Sequence, residues 1–145
     1  MTARLLLLIL LGISCFAHGD DWQGCPYPSS IKYADGYFYQ ESAGHRWTSP
    51  KVRLVDFIDK FVGAVFMPGE GQERRWGYLE KCIYRSGREQ RLVVLRYSRA
   101  TEGLSMSLFD TTHWRLAKDS FGHEIYLCDD RQPDNCSFTL DELRY

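Results

Sequence analysis

Short runs of β-branched and aromatic residues recur along the chain between turn formers. They fall at 37–40, 61–67, 78–84, 92–97, 104–109 and 125–128, with breaks at Pro68-Gly69, Ser86-Gly87, Glu102-Gly103 and Gly122. Runs this short and this regularly punctuated predict a mainly β domain, either a small antiparallel sheet or sandwich or a partly open barrel. The clearest hairpin joins 76–84 to 92–97 through a turn around Ser86-Gly87. In its first strand, strict alternation puts Trp76, Tyr78, Cys82 and Tyr84 on one face. One segment has a different period: Leu54, Phe57, Ile58, Phe61, Val62 and Val65 recur at helical spacing, with Asp56, Asp59 and Lys60 off that face. Residues 53–60 are therefore expected to form one short helix or an irregular turn ahead of a strand from Phe61.

The N-terminus does not share this pattern. Arg4 precedes the apolar run LLLLILL at 5–11, and small residues follow, which is the order of a secretory signal peptide. The run is well short of the roughly 20 residues that span a bilayer, so no membrane span is expected. The chain divides into a signal peptide at 1–19 and a single β-rich domain at 20–145, with no linker, low-complexity tract or repeat to divide it further. Ser14-Cys15 also fits an acylated lipoprotein cysteine, but Gly12 stands where such signals carry Leu, which makes anchoring at Cys15 the weaker reading.

Removing the leader reduces five cysteines to four: Cys25, Cys82, Cys128 and Cys136. An even count in an exported chain implies disulfides formed in an oxidising compartment, periplasmic or extracellular. Four thiols allow three pairings. Cys128 and Cys136 bracket the turn formers Pro133, Asp134 and Asn135, so they are expected to close a short loop, leaving Cys25 for Cys82. In the chain-entropy model the long loop is worth about 4 kcal/mol and the short one roughly 2.6 kcal/mol, as upper values. A zinc site of four thiolates would need close pairs such as C-x-x-C, and the chain has none.

Composition changes the picture only when it is resolved along the chain. The 145 residues are 44% hydrophobic, which excludes a disordered chain, and the net charge of -1 offers no global attraction to nucleic acid. That total is a cancellation. Residues 74–99 carry eight basic side chains (Arg74, Arg75, Lys81, Arg85, Arg88, Arg91, Arg96, Arg99) against Glu80 and Glu89, whereas 100–145 carry four basic and nine acidic ones. Arg85, Arg88 and Arg91, crowded at one hairpin end, would make a cationic tip for carboxylates, phosphates or anionic glycans. The alternative is that the hairpin packs beside the acidic C-terminal half and the charges satisfy one another.

No catalytic constellation is legible. His123-Glu124 lacks the second histidine of H-E-x-x-H, and no serine sits in a G-x-S-x-G turn. Pro68-Gly69-Glu70-Gly71-Gln72 is Gly-rich but lacks the Gly-Lys-Ser/Thr ending that cradles phosphate. Asp129, Asp130, Asp134 and Asn135 gather oxygen atoms in one loop without the central Gly and terminal Glu of a calcium loop. The residues point to a non-enzymatic binding module, an inhibitor or envelope-interaction protein, that meets an anionic envelope or extracellular partner through Arg85, Arg88, Arg91, Trp76 and Tyr78. No metal, cofactor or nucleic acid is implied. The competing reading is a small secreted hydrolase pairing His113 or His123 with Asp110 or Glu124.

Cys25-Pro26, Ile31-Lys32, Gly36-Tyr37, Gly44, Trp47, Phe61-x-Gly63-Ala64 and Gly77-x-Leu79-x-x-Cys82-x-Tyr84 together resemble an uncharacterised family of small exported bacterial proteins, known as domain of unknown function 3757. The resemblance covers 25–97 and rests on Cys, Gly and aromatic scaffold positions, with Cys25 matching the family's first cysteine and Cys82 its Cys-x-Tyr cysteine. It implies a periplasmic or secreted β-rich domain and carries over no catalytic residue. The expected mature N-terminus is His18 or Asp20, from cleavage after Ala17 or after Gly19; mass spectrometry of the exported protein tests this, and a diacylglycerol-modified Cys15 would contradict it.

Overall fold

The computed structural model describes residues 22–42, 45–53, 55–69, 76–99, 104–108 and 111–142. The proposed leader, Leu54, Arg74, Arg75 and Asp110 lie outside them. Eleven strands form among the described residues: β1 (Trp22–Gln23), β2 (Lys32–Ala34), β3 (Tyr37–Ser42), β4 (His45–Thr48), β5 (Ile58–Pro68), β6 (Trp76–Ser86), β7 (Leu92–Arg99), β8 (Leu104–Ser107), β9 (Arg115–Lys118), β10 (Glu124–Cys128) and β11 (Phe138–Glu142). Two 3-10 turns, Pro28–Ser30 and Pro133–Cys136, interrupt the loops.

All pairings are antiparallel within one open sheet, as the alternation predicts. The sheet forks at β6. One edge of this strand runs along β5; the other gives Trp76 and Gly77 to β8 and Cys82 to Arg85 to β7. From β7 the sheet continues to β4, β3 and β2; from β8 it continues to β11 and β1. The two leaves fold toward each other, and Phe138 of β11 lies edge-on to Trp47 of β4 and Tyr97 of β7, each at 6.3 Å between ring centroids. Phe38, Phe66, Tyr84, Leu95, Leu108 and Phe138 fill the core between them. Each such side chain contributes about 1.5–3 kcal/mol of burial.

The β5–β6 ladder is interrupted three times. Asp59 is an extra residue between the pairs Ile58 with Ser86 and Lys60 with Arg85; Val62 is extra between Phe61 with Tyr84 and Gly63 with Ile83; Glu80 is extra between Val65 with Lys81 and Phe66 with Leu79. Each bulge turns the following residues to the other side of the sheet. The Glu80 bulge corrects the expected shared face. Cys82 and Tyr84 are fully buried, but Trp76 and Tyr78 lie on the outer surface, 44% and 54% exposed.

The short helix considered for 53–60 does not form: 55–57 are irregular, and the strand begins at Ile58, three residues before the expected start at Phe61. Phe57 O accepts from Gly87 N–H, and Asp56 receives the N–H groups of Phe57, Arg88 and Glu89, so this backbone is tied to the β6–β7 turn in place of its own i−4 carbonyls.

Both expected disulfides are present, Cys25 with Cys82 and Cys128 with Cys136. The first ties the N-terminal segment to the middle of β6, where Tyr84 donates to Pro26 O at 2.6 Å and packs edge-on to Phe61 at 5.4 Å. The second closes a loop beneath β5. Gly63 is required there, because a Cβ at this position would stand 2.3 Å from the Cys128 carbonyl oxygen. Gly63→Ala is expected to push β5 away from β10 and destabilise the fold by about 1–3 kcal/mol, read as a lower urea midpoint at unchanged slope.

Candidate functional site

The two disulfides hold the two walls of one cleft. The Cys25–Cys82 bond and the Tyr84 hydroxyl fix the chain just before the Pro28–Ser30 turn, which places Tyr27 and Pro28 over the start of β5. Opposite them stands the Cys128–Cys136 loop, presenting Asp129, Arg131, Gln132 and Pro133. The Tyr27 hydroxyl donates to the Asp134 carboxylate and so bridges the walls. That bond raises the Tyr27 pKa, with smaller contributions in the same direction from burial and from the Asp134 charge. The floor is Asp59, Lys60, Phe61 and Val62 of β5 with Arg85 of β6, and the volume of the open cleft is about 590 Å³. Both β5 bulge residues, Asp59 and Val62, line this cleft, the use bulges have elsewhere in re-aiming side chains at a site.

Three cations from separate segments meet here: Lys60, Arg85 and Arg131. Arg85 donates from Nη1 to Gln90 O at 2.9 Å, which holds its guanidinium at the strand end. Among the described residues, neither Lys60 nor Arg131 forms an ion pair or side-chain hydrogen bond. The carboxylates of the second wall are engaged. Arg115 reaches Asp129 at 3.3 Å, and Asp130 takes His113 Nδ1 at 3.1 Å together with Gln132 N–H and the Asn135 amide at 3.0 Å each. Those bonds, led by the Gln132 N–H, hold Asp130 below the usual carboxylate range. The Asp129, Asp130 and Asp134 carboxylates weighed as a calcium loop thus bond within the protein. Among the described residues, no group of three or more His, Cys, Asp or Glu is placed to hold a metal ion.

The structure separates the five side chains that the sequence grouped as a binding surface. Arg85 is in the cleft. Arg88 and Arg91 stand on the neighbouring turn, Arg91 facing Glu89 at 3.7 Å across solvent. Trp76 and Tyr78 are at the other end of β6, where nine residues of strand amount to roughly 30 Å. Lys60 and Arg131 were missed; neither has a sequence signal, because their proximity to Arg85 depends on β5 register and on the second disulfide. The hairpin arginines Arg85, Arg88, Arg91 and Arg96 make no ion pair with a described C-terminal carboxylate. Arg91 and Arg96 instead meet Glu89 and Glu80 of their own hairpin.

The histidines lie apart. His45 Nδ1 bonds the Tyr97 hydroxyl, His113 meets Asp130, and His123 meets Asp119 at 3.2 Å, while Asp110 lies outside the described residues. No described helix is long and apolar enough to cross a membrane.

Beside the cleft, the β6–β7 turn is organised by one carboxylate. Asp56, only 7% exposed, receives Phe57 N–H at 2.8 Å, Arg88 N–H at 2.9 Å and Glu89 N–H at 3.0 Å, and also the Ser86 hydroxyl. Burial by itself would raise its pKa; the N–H groups of Arg88, Glu89 and Phe57 and the Ser86 hydroxyl outweigh it and lower the value to about 2. Because the folded value lies below the ordinary 3.8, this stabilisation is complete above about pH 4 and is lost as pH falls toward 2. Asp56→Asn is expected to remove that part of the acid dependence and to cost about 1–3 kcal/mol at neutral pH, measurable by urea unfolding across a pH series.

A family model described as "Protein of unknown function (DUF3757)" matches residues 21–139. No curated protein and no solved structure matches the chain.

Proposed function

The chain belongs to that family of proteins of unknown function, and from this premise we propose that it is an exported, non-enzymatic binding module that holds an anionic group of its partner in the cleft at the Arg85 end of the β5–β6 ladder. The observation that carries the reading is the convergence of Lys60, Arg85 and Arg131 on one concave site, two of them without a counter-charge in the described protein. Guanidinium forks suit carboxylate and phosphate oxygens, and a concave site of this size keeps several donors on one anion. Export is supported by the two disulfides, which fit an oxidising compartment, and by the signal-like N-terminus. The binding reading is further supported by preorganisation, because both walls are covalently tied and a ligand need not order them.

Titration of the disulfide-bonded protein with inorganic phosphate and with succinate, followed by amide NMR, tests the site. Saturable shifts are expected at Lys60, Arg85 and Arg131, and the triple variant K60S/R85S/R131S is expected to weaken binding by about tenfold or more. Binding that survives this variant and disappears in R88S/R91S would move the site to the turn and reject the cleft.

A further inference from the structure

We infer, on the reading that the cleft is a binding site, that its ligand is a small zwitterion of the amino-acid type, carrying an anionic group and an ammonium on one apolar body. The cleft has charges of both signs left over. Asp59 and Lys60 are adjacent and exposed, yet they make no ion pair with each other or with another described residue. Arg131 is equally unpaired, whereas Asp129 already meets Arg115 and Asp134 meets Tyr27. The unneutralised set facing the cleft is therefore Lys60, Arg131 and the free nitrogens of Arg85 on one side and Asp59 on the other.

This set discriminates between ligand classes. A polyanion would be drawn by the cations but would have to approach the Asp59 carboxylate, and like charges brought together at an interface repel and select against such a partner. A ligand with an ammonium a few ångström from its carboxylate turns the same residue into a partner. The bulge matters here: an unbroken β5 would alternate and send Asp59 and Lys60 to opposite faces, whereas the extra residue leaves both exposed at the cleft. The remaining lining suits an apolar body, since Pro28 and Pro133 stand on the two walls above the Phe61 floor and the half-exposed Tyr27 ring stands at the rim. A volume of about 590 Å³ accommodates a small molecule or a single chain end.

The test uses three probes that differ in one charge each: phenylalanine, N-acetylphenylalanine, which lacks the ammonium, and phenylalaninamide, which lacks the carboxylate. Calorimetry or amide NMR on the disulfide-bonded protein is expected to show phenylalanine bound at the cleft and each analogue about tenfold weaker or worse. In D59N, phenylalanine should fall to the affinity of N-acetylphenylalanine while the acetylated compound is unchanged or tighter, a pattern that general misfolding does not produce. If N-acetylphenylalanine binds the native protein as well as phenylalanine does, or if only inorganic phosphate and succinate bind, the zwitterion inference is overturned and the anion site stands. If none of these probes perturbs the cleft, both fall.

Discussion

The pairing of β5 with β6 is the constraint from which the rest of the structure hangs. β6 supplies one edge to β5 and divides the other between β7 and β8, so both leaves of the sheet start from it. β5 supplies its far edge to β10, and the Cys128–Cys136 loop begins where β10 meets Ala64. Cys82, at the centre of β6, anchors the N-terminal segment through the other disulfide. A shift of this ladder by one residue would exchange the inward and outward faces of one strand relative to the other. It would withdraw either Phe61 and Phe66 of β5 or Leu79 and Tyr84 of β6 from the core and break up the cleft at the same time.

The electrostatics follow from the same frame. The carboxylates that are well bonded, Asp56 and Asp130, serve turns and loops: Asp56 fixes the hairpin end next to Arg85, and Asp130 holds the loop that carries Arg131. The ion pairs of the hairpin itself are exposed and long, and such pairs contribute little. These bonded carboxylates thus hold shape, which leaves Lys60 and Arg131 unneutralised in the cleft, where Asp59 is the one unpaired carboxylate among the described lining residues. This partition explains how a nearly neutral chain presents a locally positive concave surface.

Much of the fold was legible. The strands that carry the core have continuous apolar or alternating runs, and β3, β5, β6, β7, β8 and β10 were all marked by them. The five strands that escaped notice are short or poorly patterned: Trp22–Gln23 is two residues long, Lys32–Ala34, His45–Thr48 and Arg115–Lys118 mix charge with single apolar residues, and Phe138–Glu142 has only Phe138 and Leu140 in alternation; β2 and β9 lie at sheet edges where charge is tolerated. One signal was available and unused. Asp35-Gly36, with positive φ at both residues (53° and 88°), is the two-residue turn that joins β2 to β3, and Asp-Gly between extended segments is the strongest short-range mark of such a hairpin. Of the site, only Arg85 was legible, through local charge density.

The sequence by itself determined the properties that depend on local spacing. The even cysteine count and the turn formers between Cys128 and Cys136 indicated the pairing, the turn at Ser86-Gly87 indicated the hairpin, and the segregation of basic from acidic residues was countable. The tertiary structure alone decided which face Trp76 and Tyr78 occupy and which cations join Arg85. The physical reason is that a bulge is a property of two strands: Asp59, Val62 and Glu80 are extra only in relation to the partner they face, and no single-strand pattern records it. Lys60, Arg85 and Arg131 are likewise neighbours only because a register and a disulfide bring distant parts of the chain to the same end of the sheet.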